Sequence, residues 1–101
     1  MEKRKPHHEL AVVKAAFAAR LRATRTATVE AEAMGFGATD MAAVVAATER
    51  RHFVKSMTSY ADAKIWQDVY NVPYAGLTLY VKFTTDSNGK FLLISFKDKE
   101  E

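Results

Sequence analysis

The sequence has no cysteine, and only two prolines and four glycines, among its 101 residues. The missing cysteines exclude disulfide bonds, thiolate catalysis and zinc sites with cysteine ligands. No apolar run is long enough to span a bilayer and no signal-peptide pattern is present, so we expect a cytoplasmic protein without a membrane partner. The P-loop, the dinucleotide-binding glycine motif, His-Glu-x-x-His and the serine nucleophile elbow are also missing, which excludes most nucleotide-binding and hydrolase families with strong signatures.

The charge that is present is moderately positive and unevenly placed. The formal net charge is +3 at pH 7. Residues 1–25 hold seven Lys or Arg and two Glu, a balance of +5, whereas residues 26–50 hold four acidic residues and one Arg, a balance of −3. A basic first quarter favours a polyanionic partner such as RNA or DNA. A solvated charged face without a partner accounts equally well for these charges.

The first half of the chain is predicted to be helical. Apolar residues at steps of three and four share one face of a first helix: Leu10, Val13, Phe17 and Leu21. A second helical run is predicted over 26–34, where Gly35 stops it. A third is predicted to start from an N-cap at Thr39 or Asp40 and to continue to about Arg50.

The second half has the period of β-strands. In residues 77–83 the large apolar side chains alternate with Tyr80 and Lys82, which places these two on the opposite face. The sequence Asp86-Ser87-Asn88-Gly89 is a hairpin signal, with Asn-Gly supplying the positive φ angles, and residues 91–96 return as the partner strand. We therefore predict one α+β domain over residues 1–101, with N-terminal helices packed on a twisted antiparallel sheet.

Lys55, Gln67 and Tyr80 are the candidate reactive residues of the strand-forming half. An antiparallel sheet can bring them onto one surface. Lysine supplies a positive charge for a phosphate, a tyrosine hydroxyl can move a proton, and a glutamine amide can hold a phosphate or a base edge. Any sheet surface carries such residues, so ordinary solvated side chains remain the alternative interpretation.

Histidines and aromatic residues are the other candidates. The groups that titrate near neutral pH are His7, His8 and His52. Without further ligands at suitable spacing we expect no metal site, and we expect His7 to contact the substrate. Aromatic residues are dense between 60 and 74: Tyr60, Trp66, Tyr70 and Tyr74. They suit stacking of unpaired bases, and they suit a core or an interface equally well.

Four stretches together closely resemble the MqsR family of bacterial toxins: MEKRKPHHEL, KSMTSYADAKIWQDVY, LYVKF and LISFK. The likeness extends over nearly the whole chain, in the same order. It implies a RelE-like toxin fold and a sequence-specific endoribonuclease that cuts mRNA near GCU without the ribosome and without a cofactor. It also implies a partner antitoxin of the MqsA type, which contains zinc and binds DNA, so that operator DNA is contacted only through the antitoxin.

The resemblance also selects residues. It places the catalytic groups at Lys55 in KSMT, Gln67 in WQDVY and Tyr80 in Tyr-x-Lys, with attack by the RNA 2′-hydroxyl and no metal. With the basic and aromatic pattern, it predicts these RNA-binding residues: Lys3, Arg4, His7, Arg22, Arg25, Met57, Trp66 and Lys82. The family has a histidine in the last hairpin, where this chain has residues 86–90. A non-catalytic RNA- or DNA-binding module, or a protein-interaction module, remains the alternative.

Overall fold

The computed structural model describes residues 1–100, in which three helices cover one face of a five-stranded antiparallel sheet. The helices are α1 (Leu10–Ala19), α2 (Arg25–Ala33) and α3 (Ala38–Ala47), followed by a 3-10 turn at Arg50–His52. The strands are β1 (Glu2–Lys3), β2 (Phe53–Thr58), β3 (Trp66–Tyr74), β4 (Leu77–Thr85) and β5 (Phe91–Asp98). The predicted α+β class is confirmed, and the finer likeness to RelE-type toxins stays a prediction.

The five strands lie side by side in their order along the chain. Strands β2 to β5 are joined by local connections, but β1 pairs with β2 across all three helices, with Glu2 opposite Met57 and Lys3 opposite Ser56. The helical first half therefore returns the chain to the edge at which it started. This brings the N-terminal basic segment beside the KSMT strand.

The hydrophobic core lies between the helices and one sheet face. The helices contribute Val13, Phe17, Ala27, Ala31, Met41, Val44 and Val45, and the strands contribute Tyr70, Val72, Leu79, Val81, Phe83, Leu93 and Phe96. The core residues of β3 and β4 alternate, because successive side chains point to opposite faces. On β5 a register shift brings Leu93 and Phe96, three residues apart, to the same face. Burial of this apolar surface, at roughly 25 cal/mol per Å², is the main force that holds the helices on the sheet.

The boundaries of helices α2 and α3 differ from the prediction. Helix α2 starts at Arg25 because the Thr24 side chain accepts a hydrogen bond of 3.1 Å from the Ala27 N–H. Helix α3 starts at Ala38, and the predicted cap at Thr39 or Asp40 is wrong, since the Asp40 carboxylate accepts the Gly37 N–H at 3.0 Å from within the first turn. The helix also ends at Ala47, before the predicted Arg50.

The β4–β5 hairpin forms where predicted, with a different turn. Within this turn, residues 86–90, only Gly89 has a positive φ, of 75°, so the predicted Asn-Gly pair of positive φ angles is wrong. The Asp86 carboxylate instead accepts hydrogen bonds from the N–H groups of Asn88 at 2.8 Å and Lys90 at 3.0 Å. This side-chain acceptor shapes the turn and holds Asp86 at its base.

Candidate active site

Strand pairing brings the three predicted catalytic residues onto one face of the sheet. Directly opposed residues lie on the same face. Lys55 and Lys82 both pair with Val69, Gln67 pairs with Met57, and Tyr80 pairs with Asn71. This is the face opposite the helices, and we call it the open face: Lys55, Met57, Gln67, Val69, Asn71, Tyr80 and Lys82.

Val69 is the centre of the open face. Lys55 and Lys82 flank it in one row across three strands, and Gln67 lies two residues before it on the same strand. Strand spacing and rise put the Cα atoms of Lys55 and Tyr80 about 12 Å apart and those of Gln67 and Tyr80 about 14 Å apart. Val69 itself is fully buried, so the long side chains around it cover its row. The two lysines and Tyr80 therefore border one shallow site, and Gln67 lies at its far end.

Both irregularities of the sheet lie beside this row. The β2–β3 register shifts between Phe53 and Lys55, and the β4–β5 register shifts between Lys82 and Phe83. A β-bulge bends its strand and changes the direction of nearby side chains, and bulges are common beside active sites. The two lysines of the row thus lie directly beside the two register shifts.

The open face is positively charged, and the Glu2 carboxylate contacts it. Lys55 Nζ lies 3.0 Å from a carboxylate oxygen of Glu2. Lys97, which the sequence analysis did not select, pairs with Tyr80 and holds its Nζ 5.5 Å from the centre of the Tyr80 ring. Burial lowers the pKa of the Lys82 ammonium, and the charges of Lys97 and Lys55 lower it further. Phosphate oxygens would relieve this repulsion, so the face suits an anion.

A second group of predicted RNA contacts lies on the other face, beyond the helices. Trp66 pairs with Thr58, and its ring is stacked on His7 with centroids 5.1 Å apart. Lys3 Nζ is 4.2 Å from the Trp66 ring centre and 2.9 Å from His7 Nδ1. Burial, then the charges of Lys3 and His8, lower the pKa of His7. These residues form a separate cluster, and the sheet separates them from Tyr80.

Asp68 is a central residue that the sequence analysis did not select. It is fully buried, and its carboxylate accepts hydrogen bonds from the backbone N–H groups of His7 at 3.2 Å and His8 at 2.9 Å. It also accepts a hydrogen bond of 2.5 Å from the Ser56 hydroxyl. Aspartate is depleted in strands, so an Asp inside IWQDVY was the available signal. Asp68 ties the N-terminal segment to β2 and β3.

The remaining predicted RNA-binding arginines are dispersed. Arg4 lies beside the open face, where it lines a cavity with Glu2 and Lys55. Arg22 lies at the hairpin, where its Nη2 is 2.7 Å from Asp86 Oδ2. It lines a cavity of about 560 Å³ whose other basic residues, Arg20 and Lys90, were not selected. Arg25 is exposed at the first position of α2.

The aromatic segment divides between surface and core. Tyr60 is fully exposed, whereas Tyr70 is fully buried. Burial, and then the charge of Asp68, raise the pKa of Tyr70 to about 12. Tyr74 packs edge-on against Phe36 at 6.2 Å on the side of the helices. Base stacking by Tyr70 is therefore excluded, and the core interpretation is right for this residue.

Neither a metal site nor a membrane span stands out in residues 1–100. No cluster of three or more histidine, aspartate or glutamate side chains is arranged to hold a metal ion in that part of the chain. The helices of the same residues are too short, or too polar, to cross a bilayer.

The fold and the open face define a small α+β protein with a lysine-rich sheet surface suited to a phosphate-bearing polymer. Residues 5–98 match the family described as "Motility quorum-sensing regulator, toxin of MqsA". The mRNA interferase toxin MqsR of Escherichia coli (strain K12) is 39% identical over 100 residues, which cover 98% of this chain and 100% of that protein. The chain belongs to the MqsR toxin family.

Proposed function

We propose that this protein is the toxin of a bacterial type II toxin–antitoxin pair and that it cuts mRNA as an endoribonuclease, without the ribosome. One observation carries the proposal: the Lys55, Gln67 and Tyr80 that the family resemblance selects lie together on the open face. The relative from E. coli is named an mRNA interferase, which supports the same activity. Cutting mRNA would place the protein in the cytoplasm, with GCU-type sites as the expected targets.

The reaction proposed is a transfer within the RNA. The 2′-oxygen attacks the adjacent phosphorus in line, which leaves a 2′,3′-cyclic phosphate and a 5′-hydroxyl. With the phosphate above Val69, the Lys55 and Lys82 ammonium groups would neutralise the charge that develops on its oxygens. Tyr80 would give its hydroxyl proton to the departing 5′-oxygen.

Gln67 would hold the RNA at the next position. Its Cα lies about 14 Å from that of Tyr80, and an antiparallel diagonal neighbour such as Lys55 is about 7–8 Å away. The amide therefore reaches the Lys55 side of the phosphate or the neighbouring nucleotide, where it can donate and accept at once. Gln67 orients the chain, and the lysines and Tyr80 act at the scissile bond.

The antitoxin would be of the MqsA type, with zinc and a DNA-binding part, and would add a strand at the sheet edge. The outer edge of β5 is already occupied: Leu93 N–H donates to Arg22 O at 2.9 Å, and Phe96 N–H donates to the Glu30 carboxylate at 2.9 Å. At the other edge β1 pairs with Ser56 and Met57, and Met1 O accepts the Thr58 N–H, so within residues 1–100 the part of β2 before Ser56 has no paired strand there. A partner strand would therefore meet the sheet beside Lys55.

The test is cleavage of a defined single-stranded RNA with GCU sites, in EDTA, by purified protein. Discrete fragments with cyclic-phosphate ends are expected, and a 2′-deoxy nucleotide at the cut site should abolish them. Lys55→Ala and Tyr80→Phe should lower the rate by about 10²–10⁴-fold. The matched controls are Lys64→Ala in an exposed loop and Tyr74→Phe on the helix side, which should cut normally.

Three results would contradict parts of the proposal. No cutting by folded wild-type protein leaves a nucleic-acid-binding module. Cutting that persists in both variants keeps the enzyme and rejects this site. Cutting at an unchanged rate next to a 2′-deoxy nucleotide rejects the attack by the 2′-oxygen.

A further inference from the structure

The carboxylate of Glu2 lies within contact distance of Lys55 on the open face. Glu2 pairs with Met57, which puts it on the open face, and its Oε1 is 3.0 Å from Lys55 Nζ. The other acidic residues of the described strands are on the opposite face, since Asp68 pairs with Phe83 and Asp98 pairs with Leu79. Glu2 is thus the carboxylate that the strands supply to this face.

The proposed reaction needs a base that the lysines and the tyrosine do not supply. Lysine and tyrosine side chains have ordinary pKa values of about 10.4 and 10, so both carry their protons at neutral pH. A carboxylate is ionised there and can take a proton from a hydroxyl while the new bond to phosphorus forms. A protonated lysine beside it can stabilise the phosphate oxygens at the same time.

We propose that Glu2 is the general base of the cleavage reaction and takes the proton of the attacking 2′-hydroxyl, an inference that rests on the proposed function. The O2′–H bond breaks and its proton goes to Glu2, while the O2′–P bond forms. The P–O5′ bond breaks, and the 5′-oxygen takes the proton of Tyr80. Exchange with water then returns a proton to Tyr80 and removes one from Glu2. Lys55 keeps its charge throughout.

The placement of Glu2 suits this role. Glu2 and Tyr80 lie three strands apart and four residues apart along the strands, so their Cα atoms are about 20 Å apart, with the Val69 row between them. The Glu2 carboxylate reaches Lys55 at one end of that row, and Tyr80 lies beside Lys82 at the other end, which suits attack and departure on opposite sides of phosphorus. A cavity of about 400 Å³ bordered by Glu2, Lys3, Arg4, Val54 and Lys55 offers space for a ribose beside the carboxylate. The Glu2 side chain is 60% exposed and accessible to it.

The groups around Glu2 are all cationic. Lys55 faces it from β2, and Arg4 and the amino group of Met1 face it from its own segment; the hydrogen bond and charge of Lys55 do most to lower the pKa of Glu2. Glu2 is therefore ionised throughout the neutral range. When the scissile phosphate draws the Lys55 ammonium toward itself, the carboxylate loses its strongest partner and becomes a better base.

The experiment compares two RNAs that differ in one atom. One is a short single-stranded RNA with a cut site located with wild-type protein, and the other has sulfur in place of the bridging 5′-oxygen at that site. A thiolate departs without a proton. The sulfur RNA should therefore restore the cleavage rate of a variant that lacks the general acid, and should not restore the rate of a variant that lacks the general base. We expect Glu2→Gln to lower kcat by about 10²–10³-fold on both RNAs. Tyr80→Phe should be slow on the oxygen RNA and near wild type on the sulfur RNA.

Controls separate a base from a structural partner of Lys55. Glu2→Asp should keep part of the rate, because a shorter carboxylate remains. Glu9→Gln, an exposed side chain without a capping hydrogen bond, should behave as wild type. Far-UV circular dichroism and Tm of Glu2→Gln should match wild type, since its side chain is largely solvated.

Each other outcome overturns the proposal. Glu2→Gln that cuts within threefold of wild type shows that no base is lost. Rescue of Glu2→Gln by sulfur places Glu2 on the leaving-group side. A raised KM with an unchanged kcat shows that Glu2 only positions Lys55. If wild-type protein cuts neither RNA, the proposed function fails first, which is distinguishable from a defect confined to Glu2→Gln.

Discussion

The backbone N–H of His8 donates a hydrogen bond of 2.9 Å to a carboxylate oxygen of Asp68, which is fully buried. Because Asp68 also accepts from the His7 N–H and the Ser56 hydroxyl, one side chain joins the N-terminal segment to two strands. That segment carries β1, and β1 carries Glu2. The geometry of the open face therefore depends on a residue on the opposite face.

Asp68→Asn should weaken both the fold and the activity. The amide keeps one acceptor oxygen, but its NH₂ group faces N–H donors and leaves a buried hydrogen bond unmade. We expect a loss of about 2 kcal/mol in the free energy of unfolding, measured by urea denaturation, and a parallel loss of RNA cleavage. Asp62→Asn, in an exposed loop, is the matched control. A change of less than about 0.5 kcal/mol in Asp68→Asn would reject this role of the carboxylate.

Lys82→Gln should stabilise the protein while reducing its activity. The pKa of Lys82 is lowered in the folded protein, so the unfolded chain binds more protons between the two pKa values and stability rises with pH in that window. At pH 7 the ammonium costs stability, and its removal should raise Tm by about 2 °C after allowance for solvent screening. The gain should shrink toward pH 10.5, where the unfolded lysine also loses its proton.

Cleavage by Lys82→Gln should fall by about tenfold or more in kcat/KM, because one of two charges beside the phosphate is gone. Lys64→Gln, exposed in the loop before β3, should change neither Tm nor rate. A lower Tm for Lys82→Gln at pH 7 would mean that the ammonium stabilises the fold, contrary to its surroundings.

His7 should report its own titration through the single tryptophan. Its ring is stacked on Trp66, and an imidazolium quenches an excited indole more strongly than a neutral imidazole does. Since the pKa of His7 is lowered from 6.5, the Trp66 fluorescence should decrease as the pH is lowered, with a midpoint below pH 6.5. The stability that depends on neutral His7 is present above pH 6.5 and is lost as the pH falls through that lower midpoint.

The fluorescence step should disappear in His7→Gln and persist in His52→Gln, which lies in the 3-10 turn. A midpoint above pH 6.5 would show that Asp68, the acidic neighbour, outweighs burial and the charge of Lys3. That result would reverse the sign of the stability change as well.

The sequence predicted the parts of the fold that depend on local periodicity. Alternation in residues 77–83 placed Tyr80 and Lys82 on the face away from the core, and the structure agrees. The relation of Lys55 to Lys82 depends on two bulges and on pairing through β3, and neither leaves a local pattern. The contact between Glu2 and Lys55 could not be predicted from local pattern, because it depends on the pairing of β1 with β2, which are separated in sequence by three helices.

Family resemblance found Lys55, Gln67 and Tyr80, which pattern alone did not separate from ordinary surface residues. It did not indicate the helix cap at Gly37, since a carboxylate three residues later stabilises that start. It also did not show that Trp66 and Tyr80 lie on opposite faces, because one residue of offset in a strand reverses the face.

The alternation of strands β2 and β3 has a consequence for saturation mutagenesis under a growth-rescue selection. In both strands, neighbouring residues have different roles. Lys55 and Gln67 lie on the open face, whereas Ser56 and Asp68, the next residues along the chain, are buried. Inactive variants at the first kind of position should accumulate as full-length, soluble toxin that still titrates its antitoxin. Inactive variants at the buried positions should be degraded and leave the antitoxin free. The cellular abundance of the toxin variants should therefore alternate with a period of two residues along both strands.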